Sequence, residues 1–272
     1  MADEIVHLTV ADGVARIELD KPPVNAFDLA LVDALDAVVA RVRDSGARAA
    51  VFSGRGPSLA AGGDIKFVYS HTMANDAETL NRFFTTIQRV FEDIERLPMP
   101  TIAVVHGMTL GGGFEIALAC DLRVMAEDAR IGFPESGIGL LPGAGGTQRI
   151  TELVGRTRAL ELMYTGRWLT AAEALELGVV NRIAPPDELA DAAEELLAGV
   201  LKATPAAAAA IKRCVAGGIE QGRREGFRLE QEGVAKLAFD PDSVARLTDF
   251  VQRKGGSKPQ PAAASATGPE GA

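Results

Sequence analysis

The 272-residue sequence predicts an α/β protein with helices packed outside parallel or mixed sheets. Three observations lead there. Strand, glycine turn and helix follow one another repeatedly before about residue 185. Apolar residues make up 47% of the chain and aromatic residues only 5%, so a large core is built mainly from Ala, Val, Leu and Ile. After about residue 185 the strand signals stop and helical ones continue, which predicts a helical region appended to the sheet core.

The elements follow in order. Residues 5–10 and 14–19 alternate apolar and polar around Asp12-Gly13, the pattern of a β-hairpin. Pro22-Pro23 ends it. Leu31, Leu35, Val38, Val39 and Val42 fall on one helical face of residues 28–43. Residues 48–53 read as a short buried strand, and Gly54 to Gly63 as a loop. The segment 77–96 is helical, with an apolar stripe that takes in Leu80, Phe83, Phe84, Ile87, Val90, Phe91 and Ile94. Within it Phe83, Phe84, Ile87 and Phe91 read as core packing, with a floor for an acyl pocket as the functional alternative. Pro98 and Pro100 stop the helix, and Thr101–Val105 forms a buried strand. A glycine turn leads to an apolar helix near 112–119, and short strands follow near 121–126 and 130–133. Beyond them, 186–203, 205–216, 220–238 and 241–252 read as helices. The Gly/Pro/Ala-rich stretch 255–272 is expected to be disordered.

Composition removes several function classes. A net charge of −9 without a basic stripe argues against nucleic-acid binding. Two cysteines, Cys120 and Cys214, in apolar or helical surroundings read as buried thiols of a reducing cytosol. The acidic start Met1-Ala2-Asp3-Glu4 lacks the apolar region of a secretory signal, and no apolar run is long enough for a membrane span. These readings predict a cytoplasmic protein with no membrane partner. Three scattered histidines offer no metal site, and His106 reads as a turn residue. Ser58 is not in a nucleophile elbow, and no Walker A or dinucleotide fingerprint is present.

The chemistry-bearing residues are two glutamates behind glycines. Glu115 closes Gly111-Gly112-Gly113-Phe114-Glu115, which follows a strand and opens a helix. The first N–H groups of a helix lack internal partners and lie at the positive end of its dipole. They suit an anion or a polarised carbonyl oxygen. Taken alone, Glu115 also reads as a solvated first-turn acid. Leu59-Ala60-Ala61-Gly62-Gly63-Asp64-Ile65-Lys66 is a second glycine turn before a helix, with Asp64 as a candidate cap. Glu135 closes Phe133-Pro134-Glu135 in a predicted loop, where an apolar pocket would raise its pKa and bulk water would not.

Together these motifs resemble the crotonase, or enoyl-CoA hydratase/isomerase, superfamily. The resemblance covers residues 5–253 and rests on Asn25-Ala26, Ala60 through Lys66, Gly111 through Ala117 with Cys120-Asp121, Phe133-Pro134-Glu135, and Leu141 through Arg149. It implies a crotonase-type spiral of ββα turns over 1–195, then a helical region over 196–254 for oligomerisation and pocket closure. It implies an acyl-CoA thioester substrate, with coenzyme A as part of the substrate and no separate cofactor, and a homotrimer or dimer of trimers. Most like this chain are the enoyl-CoA hydratases of fatty acid metabolism. The resemblance makes the amides of Gly63 and Gly112 the oxyanion hole, Glu115 and Glu135 the acid/base pair, and Gly143 a donor to the reacting water. It places Ala61, Asp64, Ile65, Lys66 and Arg253 at the coenzyme A site. The alternatives are a double-bond isomerase, or a specialised hydratase or decarboxylase of aromatic or natural-product metabolism. One branch of the superfamily binds AU-rich RNA, which the acidic composition opposes.

Overall fold

The structure is a computed structural model that describes residues 4–254. The stretch expected to be disordered, 255–272, lies outside the described residues. Two compact units divide after Lys212.

The first unit holds two sheets. The larger has the order β1-β2-β3-β4-β6-β9, from Val6–Ala11, Val14–Leu19, Ala49–Gly54, Thr101–Val105, Leu122–Ala126 and Arg182–Ala184. Only β1 and β2 run antiparallel, joined by the Asp12-Gly13 turn; the later pairs are parallel. The smaller sheet is β5-β7-β8, from Met108–Leu110, Arg130–Gly132 and Trp168–Thr170. The chain steps from the larger sheet to the smaller and then into a helix, as in β4, β5 and helix α4 (Gly112–Ala119). This is the ββα turn that the resemblance implies.

Helix α1 (Leu29–Asp44) starts where the Asp28 side chain accepts the Leu31 N–H at 3.0 Å, and it buries the predicted Leu/Val face. Helix α2 (Ile65–Met73) is capped by Asp64 and has no fully buried residue. Helix α3 (Ala77–Glu95) buries Phe83, Ile87, Val90, Phe91 and Ile94. Phe84 leaves the predicted stripe and is 37% exposed, because it sits about 100° around the helix from Phe83. In α4 every residue is buried. Its C-terminus is closed by the buried guanidinium of Arg123, which donates to the carbonyls of Ala117, Cys120 and Val179. Cys120 beside it is fully enclosed, and burial pushes its thiol up to about 12, so it is inert at neutral pH.

Four further helices follow in this unit: α5 (Gly146–Val154), α6 (Arg156–Thr165), α7 (Ala171–Glu176) and α8 (Leu189–Val200). Helix α8 buries Leu189, Ala193 and Leu197 and packs on β4, β6 and β9, so it is part of the sheet core. Helix α9 (Pro205–Gln221) runs across the division. The second unit adds α10 (Arg223–Leu237) and α11 (Pro241–Lys254). Within it, Gly218 and Gly226 let α9 and α10 meet backbone to backbone. Both cysteines are free thiols; Cys120 is buried as predicted, whereas Cys214 is only partly buried. No described helix is long and apolar enough to cross a membrane.

One buried residue pins the loop between β3 and α2. Asn25 is 1% exposed, and its amide donates to the carbonyls of Arg55, Ser58 and Leu59 while its oxygen accepts the Lys21 N–H at 2.7 Å. Asn25→Ala leaves these buried groups unpaired, so unfolding stability is expected to fall by roughly 3 kcal/mol. Chemical denaturation checks this; an unchanged transition midpoint would show that the loop is held by other contacts.

Candidate active site

The two glycine turns meet. Phe27 holds the first from below: its N–H donates to Gly62 O at 2.8 Å and its carbonyl accepts the Asp64 N–H at 2.7 Å. These bonds leave the Gly63 N–H without an acceptor among the described residues. The second turn is Gly111-Gly112, at the start of α4. A Cβ built on Gly112 would stand 3.7 Å from the Gly63 nitrogen, so the two backbones lie side by side. Gly113 makes that approach possible, because a side chain there would run into the carbonyl of Ala60. The Gly112 N–H is one of the unpaired amides of the α4 N-terminus. Two N–H donors thus sit together at the positive end of a buried helix, the arrangement that stabilises a developing oxyanion.

Glu115 lies one turn into α4 and is 3% exposed. Its Oε1 accepts the N–H groups of Ala144 at 2.7 Å and Gly146 at 2.8 Å. Burial pushes its pKa up to about 7, and the nearby Glu135 adds to the rise, against the two amides and the Arg149 cation. Gly146 is required here: a Cβ would lie 2.7 Å from the Phe133 ring and 2.9 Å from Glu115 Oε1. Glu115 is therefore an enclosed carboxyl poised between its two protonation states.

Glu135 belongs to a separate segment. The predicted loop is a 3-10 turn, Glu135–Ile138, that begins at Glu135. Its Oε1 reaches over Gly111, where an added Cβ would be 2.5 Å away. Its Oε2 is buried without a hydrogen-bond partner among the described residues. Burial raises the pKa of this carboxyl too, opposed by its own backbone N–H. The two carboxyls thus differ in support. Glu115 is steadied as an anion by the amides of Ala144 and Gly146, and Glu135 by its own backbone N–H.

The high pKa of Glu115 has a stability consequence. An unfolded chain ionises this residue near 4.5, whereas the folded one does so near 7. Between these values the native state holds the extra proton, so its stability falls as pH rises through that window and is level above it. The cost above pH 7 is about 3 kcal/mol. Glu115→Gln removes it, so the variant's gain in melting temperature over wild type should be larger at about pH 8 than at about pH 5. Thermal melts at both values read this directly, and an equal difference at both would contradict the buried titration.

The remaining predicted positions fall into two groups. Gly143 borders the Glu115 loop, with a built Cβ 3.9 Å from the Phe84 ring. Of the two roles the sequence allows Phe84, core packing and the floor of an acyl pocket, its exposed ring beside Gly143 does not fit the first. Ala61 and Asp64 flank the first glycine turn, and Asp64 caps α2 by accepting the N–H groups of Lys66 and Phe67. Ile65 and Lys66 are exposed in the first turn of α2. Arg253 is exposed on α11, in the second unit. His106 bonds the Gly56 carbonyl at 3.1 Å, the turn role its sequence suggests. The described residues hold no cluster of three or more His, Cys, Asp or Glu side chains that could bind a metal ion.

The enoyl-CoA hydratase/isomerase family model matches residues 9–255. The chain belongs to this family. An enoyl-CoA isomerase/hydratase of Mycosarcoma maydis is 34% identical over 89% of this chain and 91% of its own length. The short-chain-enoyl-CoA hydratase of Clostridium acetobutylicum is 32% identical over 89% and 92%. The crystal structure of an enoyl-CoA hydratase from Bacillus anthracis superposes with a TM-score of 0.84 at 31% identity, over 94% of this chain and 98% of that one. The mixed α/β architecture is accordingly the crotonase fold of the enoyl-CoA hydratases.

Proposed function

We propose that this protein is an enoyl-CoA hydratase, adding water across the 2,3 double bond of a trans-2-enoyl-CoA to give the 3-hydroxyacyl-CoA. One observation carries the reading: a buried carboxyl, Glu115, and a half-buried one, Glu135, both with raised pKa values, lie beside the meeting point of two free backbone amides. The thioester carbonyl accepts the N–H groups of Gly63 and Gly112. Glu115, steadied as an anion by Ala144 and Gly146, takes a proton from water as the oxygen attacks C3. Electron density moves through C2 to the thioester oxygen, where the two amides stabilise it. Glu135, the second carboxyl of the pair, delivers a proton to C2. Water is consumed, no redox step occurs, and proton exchange through solvent resets the pair. Gly143 helps orient the water. Ala61, Asp64, Ile65 and Lys66 serve the coenzyme A portion, and Arg253 serves that of a neighbouring copy, so no separate cofactor is needed.

The test follows the absorbance of the enoyl-thioester band with crotonyl-CoA and longer 2-enoyl-CoA substrates. No turnover of any of them would reject the reading. A second reading, double-bond isomerisation, has the support of the Mycosarcoma maydis relative, whose name joins both activities. It needs one carboxyl to carry a proton between C2 and C4. A 3-enoyl-CoA offered to the enzyme separates the two by its product.

The assembly proposed is a homotrimer or dimer of trimers. The second unit leaves Val234 68% and Phe239 86% exposed, apolar surface that a neighbouring copy would cover. Sedimentation equilibrium reads the subunit number, and a monomer at micromolar concentration would overturn the proposal.

A further inference from the structure

Arg149 takes no part in the scheme above, yet it grips the loop that serves Glu115. It lies in the first turn of α5, and its Nη1–H donates to the Ala144 carbonyl at 2.9 Å. Its Nε–H and Nη2–H both donate to Glu95 Oε2, at 2.9 and 2.7 Å, so the last residue of α3 fixes the fork. The Arg149 side chain is only 11% exposed. On the other side of the same short loop, the amides of Ala144 and Gly146 converge on Glu115 Oε1. Between them Gly145 takes φ +98°, and a Cβ there would collide with the guanidinium. The loop is thus clamped on both sides, by a cation at a carbonyl and by a carboxyl at two amides.

Because each peptide unit is planar, fixing the Ala144 carbonyl fixes the Gly145 nitrogen that leads to Gly146. We propose that Arg149 is a positioning residue for Glu115: anchored by Glu95, it holds the Ala144 and Gly146 amides on the carboxyl and thereby sets the protonation state in which Glu115 meets substrate. The catalytic part of this statement rests on the hydratase reading; the structural part does not. The charged groups facing Glu115 are Glu135 from the 3-10 turn, which opposes its ionisation, and Arg149 from α5, which favours it. Glu95 of α3 faces Arg149. Loss of Arg149 removes a favourable charge and loosens two amides, and both changes disfavour the Glu115 anion.

The experiment titrates Glu115 by carbon-13 NMR of glutamate carboxyls, assigned by the signal that vanishes in Glu115→Gln. Wild type, Arg149→Lys and Arg149→Gln are compared. Lysine keeps the cation but cannot make the same fork, so the expected order of midpoints is wild type, then lysine, then glutamine, the last raised by about half a pH unit or more. In the hydration assay Arg149→Gln should lower kcat about tenfold or more with KM nearly unchanged, and lysine should restore part of the loss. Unchanged or lowered midpoints in the folded variants overturn the proposal, as does a kcat loss without any movement of the midpoint. If the glutamine variant does not fold, the lysine variant decides by the same midpoint. Wild type that turns over no enoyl-CoA counts against the hydratase reading alone, because the titration still reads the link between Arg149 and Glu115.

Discussion

Glu115→Gln is expected to lower kcat for 2-enoyl-CoA hydration by about 10²–10⁴ while leaving coenzyme A thioester binding nearly intact. The amide is close to isosteric, and its oxygen can still accept the N–H groups of Ala144 and Gly146, so the loop stays in place. What disappears is the ability to take a proton from water. The loss should therefore fall on kcat and on kcat/KM together, the signature of an interaction made at the transition state. In wild type kcat/KM should fall as pH drops below about 7, where Glu115 becomes protonated. Binding of a non-reactive acyl-CoA analogue, followed by calorimetry, separates this from collapse of the site. A variant that binds the analogue and turns over at the wild-type rate would remove Glu115 from the chemistry.

Glu135→Gln is expected to cost a similar factor, about 10²–10⁴ in kcat, for a different reason. Glu135 presents a buried oxygen with no partner among the described residues, and burial favours its neutral form. It is therefore suited to give a proton to C2, which an amide cannot do. The two variants should differ in a partial reaction. Exchange of the C2 protons of a saturated acyl-CoA in D₂O should be lost in Glu135→Gln and retained in part in Glu115→Gln. Equal loss in both would contradict separate acid and base roles and show that the pair acts through one shared water.

The chain announces these residues unevenly. The hairpin at Asp12-Gly13, α1, α3 and the strand-to-helix turn at Gly111 are legible because each carries a turn dipeptide or several helical periods. The strands β5, β8 and β9 span three residues each, too short to show a period of two, and they go unread. Glu135 is visible as a motif but not as the start of a 3-10 turn. Phe84 misleads because an apolar residue beside a stripe looks like part of it; only the fold shows its ring near Gly143. Composition changes near residue 185, but α8 still lies on the sheet, so chain character and compactness divide at different points. Arg149 stands inside a recognisable motif, yet its partner Glu95 is 54 residues away, and no local pattern announces that contact.

The central claim is that two carboxyls act on one thioester held by the Gly63 and Gly112 amides. Proton and carbon NMR of crotonyl-CoA incubated with the wild-type enzyme in D₂O tests it most directly. The expected product is 3-hydroxybutyryl-CoA carrying a single deuterium at C2, formed at a rate that both glutamine variants strongly reduce. Crotonyl-CoA left unhydrated, or converted only by migration of its double bond, would contradict it.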